Sequence, residues 1–221
     1  MEKLKKTEKK EVEQINIKAP NIAIVRFKIR GDSPYVQNKF SQKSLQQMKE
    51  QQERGPKANK KPHEAKDFEE LYKGAMYFSE GEKWNGIPAA AFRSAMIRAG
   101  RIGREAAMTD TRCTLFVVAD GFDYQDSTPL VKITKGEPHR WDAYVRLQGN
   151  KTDIHPRPMW NPGWEAVVTI KYDSDFLSAE SVCNLLNRAG IQVGVGEGRP
   201  FSKTSDGLGF GTFEIIGGEN E

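Results

Sequence analysis

Residues 21–30, NIAIVRFKIR, alternate without a break. Ala23, Val25, Phe27 and Ile29 fall on one side of an extended chain, and Ile22, Ile24, Arg26, Lys28 and Arg30 on the other. A period of two marks a strand with one packed face and one open face. The chain must therefore supply an apolar layer for the first face, while the second turns basic in its latter half. Gly31-Asp32-Ser33-Pro34 then breaks the strand.

The covering layer is sought in helical patterns. Residues 88–105 carry Phe92, Ala95, Met96, Ala99 and Ile102 on one side at about 100° per residue. Arg93, Arg98, Arg101 and Arg104 spread over the other side with Ile97 among them, and Pro88 suits the first turn. Residues 179–189 form a second helix, with Ser178 as N-cap, Val182, Leu185, Leu186 and Ala189 as its stripe, and a stop expected at Gly190. Weaker patterns predict helices at 41–53, with Ser41 as N-cap, and at about 64–74. Residues 113–119 (CTLFVVA) read as a strand covered on both faces, and 164–172 (WEAVVTIKY) and 209–216 (GFGTFEII) as further strands.

Two stretches stand outside this pattern. Residues 31–85 hold the two weak helices and a loop, GPKANKKP, flanked by Arg54, where Lys57, Lys60 and Lys61 have no acid between them. Residues 120–162 hold strand-like pieces at 130–133 and 143–147, five prolines, and Trp141, Tyr144 and Trp160. They read as a long hairpin projecting from the main sheet. Without both insertions the order is strand, helix, strand, strand, helix, strand: the βαββαβ arrangement of ferredoxin-like and RNA-recognition-motif folds, an α+β class. The expected division is an arm at 1–20, one domain at 21–216 with insertions at 31–85 and 120–162, and a tail at 217–221. Two insertions on a single core account for a hydrophobic fraction of only 37% in 221 residues.

Composition removes several classes. The mean hydropathy is −0.67 and no apolar run approaches 18 residues, so no membrane partner is expected. Residues 1–13 are dominated by Lys and Glu and do not read as a secretory signal. Cys113 and Cys183 make neither a disulfide framework nor a zinc site, and His63, His139 and His155 are scattered. A cytoplasmic protein with no metal and no cofactor is expected. The net charge of +4 is a weak signal; the three basic segments say more.

Those segments, Arg26/Lys28/Arg30, Lys57/Lys60/Lys61 and Arg93/Arg98/Arg101/Arg104, are expected to line one groove and neutralise successive phosphates. The bland alternative makes each a solvated face. The glycine-rich loop GVGEGRPFSKTSDGLG brings its backbone close to a sugar-phosphate chain at Gly196 and Gly198, with Arg199 and Lys203 adding charge; alternatively it only connects two elements through positive φ angles. Trp141 and Trp160, with Tyr144 and Met159, either stack on bases or form a small core of the hairpin.

Two motifs carry a family resemblance. Gly86-Ile87-Pro88-Ala89-Ala90-Ala91-Phe92-Arg93-Ser94-Ala95 is similar to the opening of the first helix in the RAMP superfamily of CRISPR-associated proteins, although alanines stand where that family usually has Gly and Ser. Gly194-Val195-Gly196-Glu197-Gly198-Arg199, followed by Gly207-Leu208-Gly209-Phe210-Gly211-Thr212-Phe213-Glu214, resembles its glycine-rich loop running into a final strand. The nearest resemblance is to the backbone subunit that polymerises along guide RNA, and a stand-alone relative from a phage or mobile element fits equally. The resemblance implies a non-catalytic protein that binds single-stranded RNA, or less readily DNA, through its phosphates. It also implies homo-oligomers or filaments along the strand, other subunits of a nucleoprotein complex as partners, and a thumb-like hairpin at 120–162. Two alternatives remain. One is a RAMP-type endoribonuclease, for which Asp32 is the weak catalytic candidate, with His63 or His139 as base. The other is a structural or decoy protein that enters another nucleoprotein complex.

Overall fold

A computed structural model of the chain describes residues 17–54, 66–79, 83–103, 107–147, 151–202 and 207–220. The alternating segment forms β1 (Ile22–Gly31), with Val25, Phe27 and Ile29 buried and Arg26, Lys28 and Arg30 exposed. It lies between β9 (Glu165–Asp173) and β10 (Phe213–Asn220), antiparallel to both. On the far side of β9 lie β4 (Leu115–Val118) and, along its other half, β6 (Pro129–Lys135). The order β10-β1-β9-β4 is that of a ferredoxin-like sheet. β6 extends the sheet through β3 (Gly86–Pro88) and β5 (Gly121–Phe122).

Helices α3 (Ala89–Gly103) and α5 (Ala179–Arg188) cover the face of β1 that carries Val25, Phe27 and Ile29. Phe92, Met96, Val182, Leu186 and Phe213 meet there, each large side chain contributing roughly 1.5–3 kcal/mol by leaving water. α3 differs from the expected helix in its flanks. Ile97 is buried, because α4 (Met108–Thr114) and β4 pack on that side, whereas Ile102 is exposed. Residues 113 and 114 belong to α4, and β4 alternates, with Phe116 and Val118 on the open face, so it is not covered on both sides. Ser178 caps α5 by accepting the Ser181 N–H. The chain does not stop at Gly190 but continues as a π-helical turn, Ala189–Val193, of the kind that often marks functional sites.

Between β1 and β3 lie β2 (Tyr35–Val36), α1 (Gln42–Arg54) and α2 (Phe68–Gly74). Ser41 and Asp67 cap the helices, Ser41 accepting the Ser44 N–H and Asp67 those of Glu69 and Glu70. β7 (Pro138–Leu147) and β8 (Lys151–Trp160) pair over their whole described length, and β2 pairs with the end of β8. β8 contains Pro156 and Pro158, which hide it from a strand reading. The prolines alternate, so both missing N–H groups face one side. The Pro158 carbonyl accepts the Gln37 N–H, which places that side toward β2 and leaves the β7 ladder intact.

Candidate nucleic-acid interface

The two faces of the sheet separate the basic segments. Arg26, Lys28 and Arg30 lie on the face opposite α3 and α5, so they do not share a groove with the helix arginines. There Lys28 pairs with Glu165 at 2.7 Å and Arg30 with Glu214 at 3.3 Å. The helix arginines also divide. Arg93 donates to the Leu115 carbonyl (2.9 Å) and the Arg112 carbonyl (2.5 Å) and stacks on Phe116, at the β4 edge. Arg101 is exposed on α3. Lys57, Lys60, Lys61, Arg104 and Lys203 lie outside the described residues.

Arg98 takes a different direction, into a groove of about 580 Å³. One wall is Pro88, at the end of β3, with Ala90, Ala91, Ser94 and Arg98 of α3. The facing wall is the glycine loop from Val193 to Arg199, with Ser202. Tyr35, Gln37, Asn38 and Tyr77 complete it. The first turn of α3 carries no acidic residue, and its Ala90 and Ala91 line the groove, which places the positive end of the helix dipole beside it. Arg98 lies 4.8 Å from the Phe201 ring, and Arg199 donates to the Gly196 carbonyl at 2.8 Å. Glu197 is drawn away by Arg157 of β8 at 2.8 Å.

The loop's glycines serve its packing. Gly196 has φ +80°, and a Cβ there would lie 2.4 Å from the Val36 carbonyl oxygen. Gly211 has φ +69°, and a Cβ would lie 1.7 Å from the Val195 oxygen. The Val195 N–H donates to the Gly211 carbonyl and the Glu197 N–H to the Val36 carbonyl, so part of the loop's donor set is spent on holding it against the approach to β10 and against β2. The connecting role and the close backbone approach thus coexist: positive φ is required, and Gly196, Gly198 and Arg199 still line the groove.

A buried polar network missed by the sequence reading fixes the remaining wall. Gln37 donates to the Gly86 carbonyl (2.7 Å) and the Tyr35 hydroxyl (3.2 Å) and accepts the Tyr77 N–H (2.9 Å). Burial pushes the Tyr35 hydroxyl pKa well above its ordinary value. Two residues on, Lys39 is buried against Asp123 and donates to Gln125 at 3.0 Å. Asp123 also accepts the N–H groups of Phe78 and Gln125. Burial alone would raise its carboxyl pKa; Lys39 and the two N–H donors outweigh burial and hold it low. Lysine at an alternating buried position carries no local signal of its partner 84 residues away.

The hairpin aromatics part company. Trp160 is 0% exposed, packed 5.4 Å from Tyr35, and offers no face to a base. It belongs to the main core, because β8 pairs with β2 at that point. Met159 is likewise buried. Trp141 sits edge-on to Phe210 at 5.7 Å, and with Arg157–Glu197 it ties the hairpin to the glycine loop. Tyr144, farther along, is 79% exposed. Asp32 accepts a hydrogen bond from the Thr212 hydroxyl in the turn after β1. Among the described residues no group of three or more His, Cys, Asp or Glu side chains is placed to hold a metal ion, and no helix is long and apolar enough to cross a membrane.

The architecture defines an α+β protein of ferredoxin-like order, with a groove between its first helix and a glycine loop. No family model matches the chain, and no curated protein does. Among solved structures it is similar to a chain in the cryo-EM structure of the Type III-B Cmr-beta bound to cognate target RNA. The TM-score is 0.55 at 10% identity, and the match covers 90% of this chain and 61% of that one. This chain therefore spans about three fifths of that chain's length. At that identity the likeness shows the fold.

Proposed function

We propose that the chain is a RAMP-type, non-catalytic protein that binds single-stranded nucleic acid, RNA in preference to DNA, through its phosphate backbone. The observation that carries this reading is the groove. Arg98, Arg199 and the first turn of α3 converge there on a concave surface where Glu197, the one carboxylate among the described lining residues, is paired with Arg157. Such a site accepts phosphates without breaking an ion pair of Arg98 or Arg199. The RNA-bound state of the structural neighbour adds support for RNA. Self-association along the strand, with other subunits of a nucleoprotein complex as partners, completes the proposal.

Filter binding of a labelled single strand against salt tests it. The logarithm of affinity should fall linearly with the logarithm of salt concentration, by about 0.7 per phosphate contacted. A flat plot removes the phosphate reading. Purified protein should leave labelled RNA intact, and discrete cuts abolished by Asp32→Ala would establish the endoribonuclease alternative.

A further inference from the structure

The open face of the sheet is not uniform. At the Glu165 end its cations are compensated: Glu165 takes both Lys28 and Lys135, and Glu214 takes Arg30. The β4 end has a different character. Phe116 and Val118 project onto this face, 43% and 40% exposed, beside Lys171 and Thr169 of β9. Lys171 is exposed and forms no ion pair among the described residues. Arg26, two strands from β4, stands opposite Thr169 of β9 on one side and opposite Glu219 of β10 on the other. The acid next in the Lys171 row, Asp173, is nearly buried and turned to the Asp175 N–H. At the β4 edge the Arg93 guanidinium carbon lies 4.7 Å from the centre of the Phe116 ring, and its Nε donates to the Leu115 carbonyl.

We infer that this corner, Phe116 with Lys171, is a second contact for a single nucleic-acid strand, in which Phe116 stacks with an unpaired base and Lys171 meets the adjoining phosphate. An exposed aromatic ring beside cations on an uncovered sheet suits a base and its phosphate, because every base has a flat π face and successive phosphates lie within reach of side chains on neighbouring strands. The chemistry favours a polyanion over an apolar protein partner, because Lys171 stands opposite Phe116 across the β4–β9 pairing and the Arg93 guanidinium lies over its ring. The inference rests on the reading that the chain binds a single strand, but it places this contact on the sheet face opposite the groove.

The test compares the full-length protein with Lys171→Glu, Phe116→Leu, Phe116→Tyr and the groove variant Arg98→Ala/Arg199→Ala. The probe is a single-stranded RNA of about 30 nucleotides carrying 2-aminopurine, long enough to pass both contacts. Lys171→Glu and Phe116→Leu should each weaken binding about tenfold, and Lys171→Glu should also reduce the salt slope by about 0.7. Phe116→Tyr should restore affinity and the quenching of the stacked fluorophore, which a merely structural role for the ring would not predict. Wild-type affinity and slope in Lys171→Glu and Phe116→Leu, with weakened binding in the groove variant, would overturn this contact and leave the groove reading standing. Absence of binding by the unmodified protein overturns both. Variants that bind RNA normally but lose a co-purifying protein would reassign the corner to a protein partner and overturn the inference.

Discussion

The groove and the Glu165 end of the open sheet face both present cations, and they hold them differently. On the open face Lys28 and Lys135 share Glu165, and Arg30 meets Glu214, so each charge already has a counter-charge from the protein. In the groove Arg98 rests against the Phe201 ring and Arg199 against the Gly196 carbonyl, neutral partners that leave the positive charge uncancelled. A phosphate entering the groove adds an ion pair, whereas one reaching the Glu165 end must displace a carboxylate. Counting cations on a surface therefore says less than asking what each is already bonded to.

The largest effect is expected from the buried Lys39–Asp123 pair, two residues along the chain from Gln37 of the groove wall. Asp123→Ala leaves the Lys39 ammonium buried without its partner and should lower unfolding stability by about 3–5 kcal/mol, read by urea denaturation. Lys39→Met/Asp123→Leu, which removes both charges, should lose much less. The pair also sets an acid limit. Because the folded-state pKa of Asp123 is depressed, the stability it contributes is present above the ordinary carboxylate range and is lost as pH falls through that depressed value. Thermal unfolding of wild type and Asp123→Asn across acidic pH checks this: the difference between them should narrow as the solution becomes more acid.

Next comes the groove charge itself. Arg98→Ala/Arg199→Ala should weaken single-strand binding about tenfold or more and lower the salt slope by about 1.4, with no change in fold by circular dichroism. The matched pair Lys28→Ala/Arg30→Ala on the open face should change affinity by less than about threefold. Equal losses in the two double variants would break the contrast between the regions.

Gly196→Val tests geometry rather than charge. The site's φ of +80° and the 2.4 Å approach of the Val36 oxygen leave no room for a branched side chain. The strain should cost roughly 1–3 kcal/mol in stability and displace Arg199, so binding weakens although no cation is removed. At Gly209 a Cβ would have nothing within 4 Å, so the same substitution there meets only the backbone penalty and should weaken binding less.

Much of this arrangement is legible in the sequence. The alternation of 21–30, the two amphipathic helices and the strand order define the sheet, because periodicity records directly which face is buried. The loop at Gly196, Gly198 and Arg199 is also found, since glycine and arginine in one short segment are a local signal. What escapes is long-range. Arg93 and Arg98 are equivalent on a helical wheel drawn for one buried face, yet α4 and β4 occupy one flank of α3 and the groove the other. Trp141 and Trp160 look alike in a proline-rich stretch, and only the pairing of β8 with β2 sends Trp160 into the core. The Gln37 network and the Lys39–Asp123 pair join segments far apart in sequence, so no local pattern announces them.

The smallest expected effect discriminates most finely within the open face. Glu165 lies six residues from Lys171 along β9, about 20 Å at the rise of a strand. Lys28 and Lys135, donating to its carboxylate, hold its pKa below the usual range. Glu165→Gln releases both lysines from an anion. If the strand touches only the β4 end of the face, fluorescence anisotropy should show affinity within about twofold of wild type, because charges about 20 Å from the contact are largely screened. If the strand runs the length of the sheet, the two freed lysines become available to phosphates, so affinity rises and the salt slope steepens by up to about 1.4. The sign of that change therefore measures how far the bound strand extends beyond Phe116.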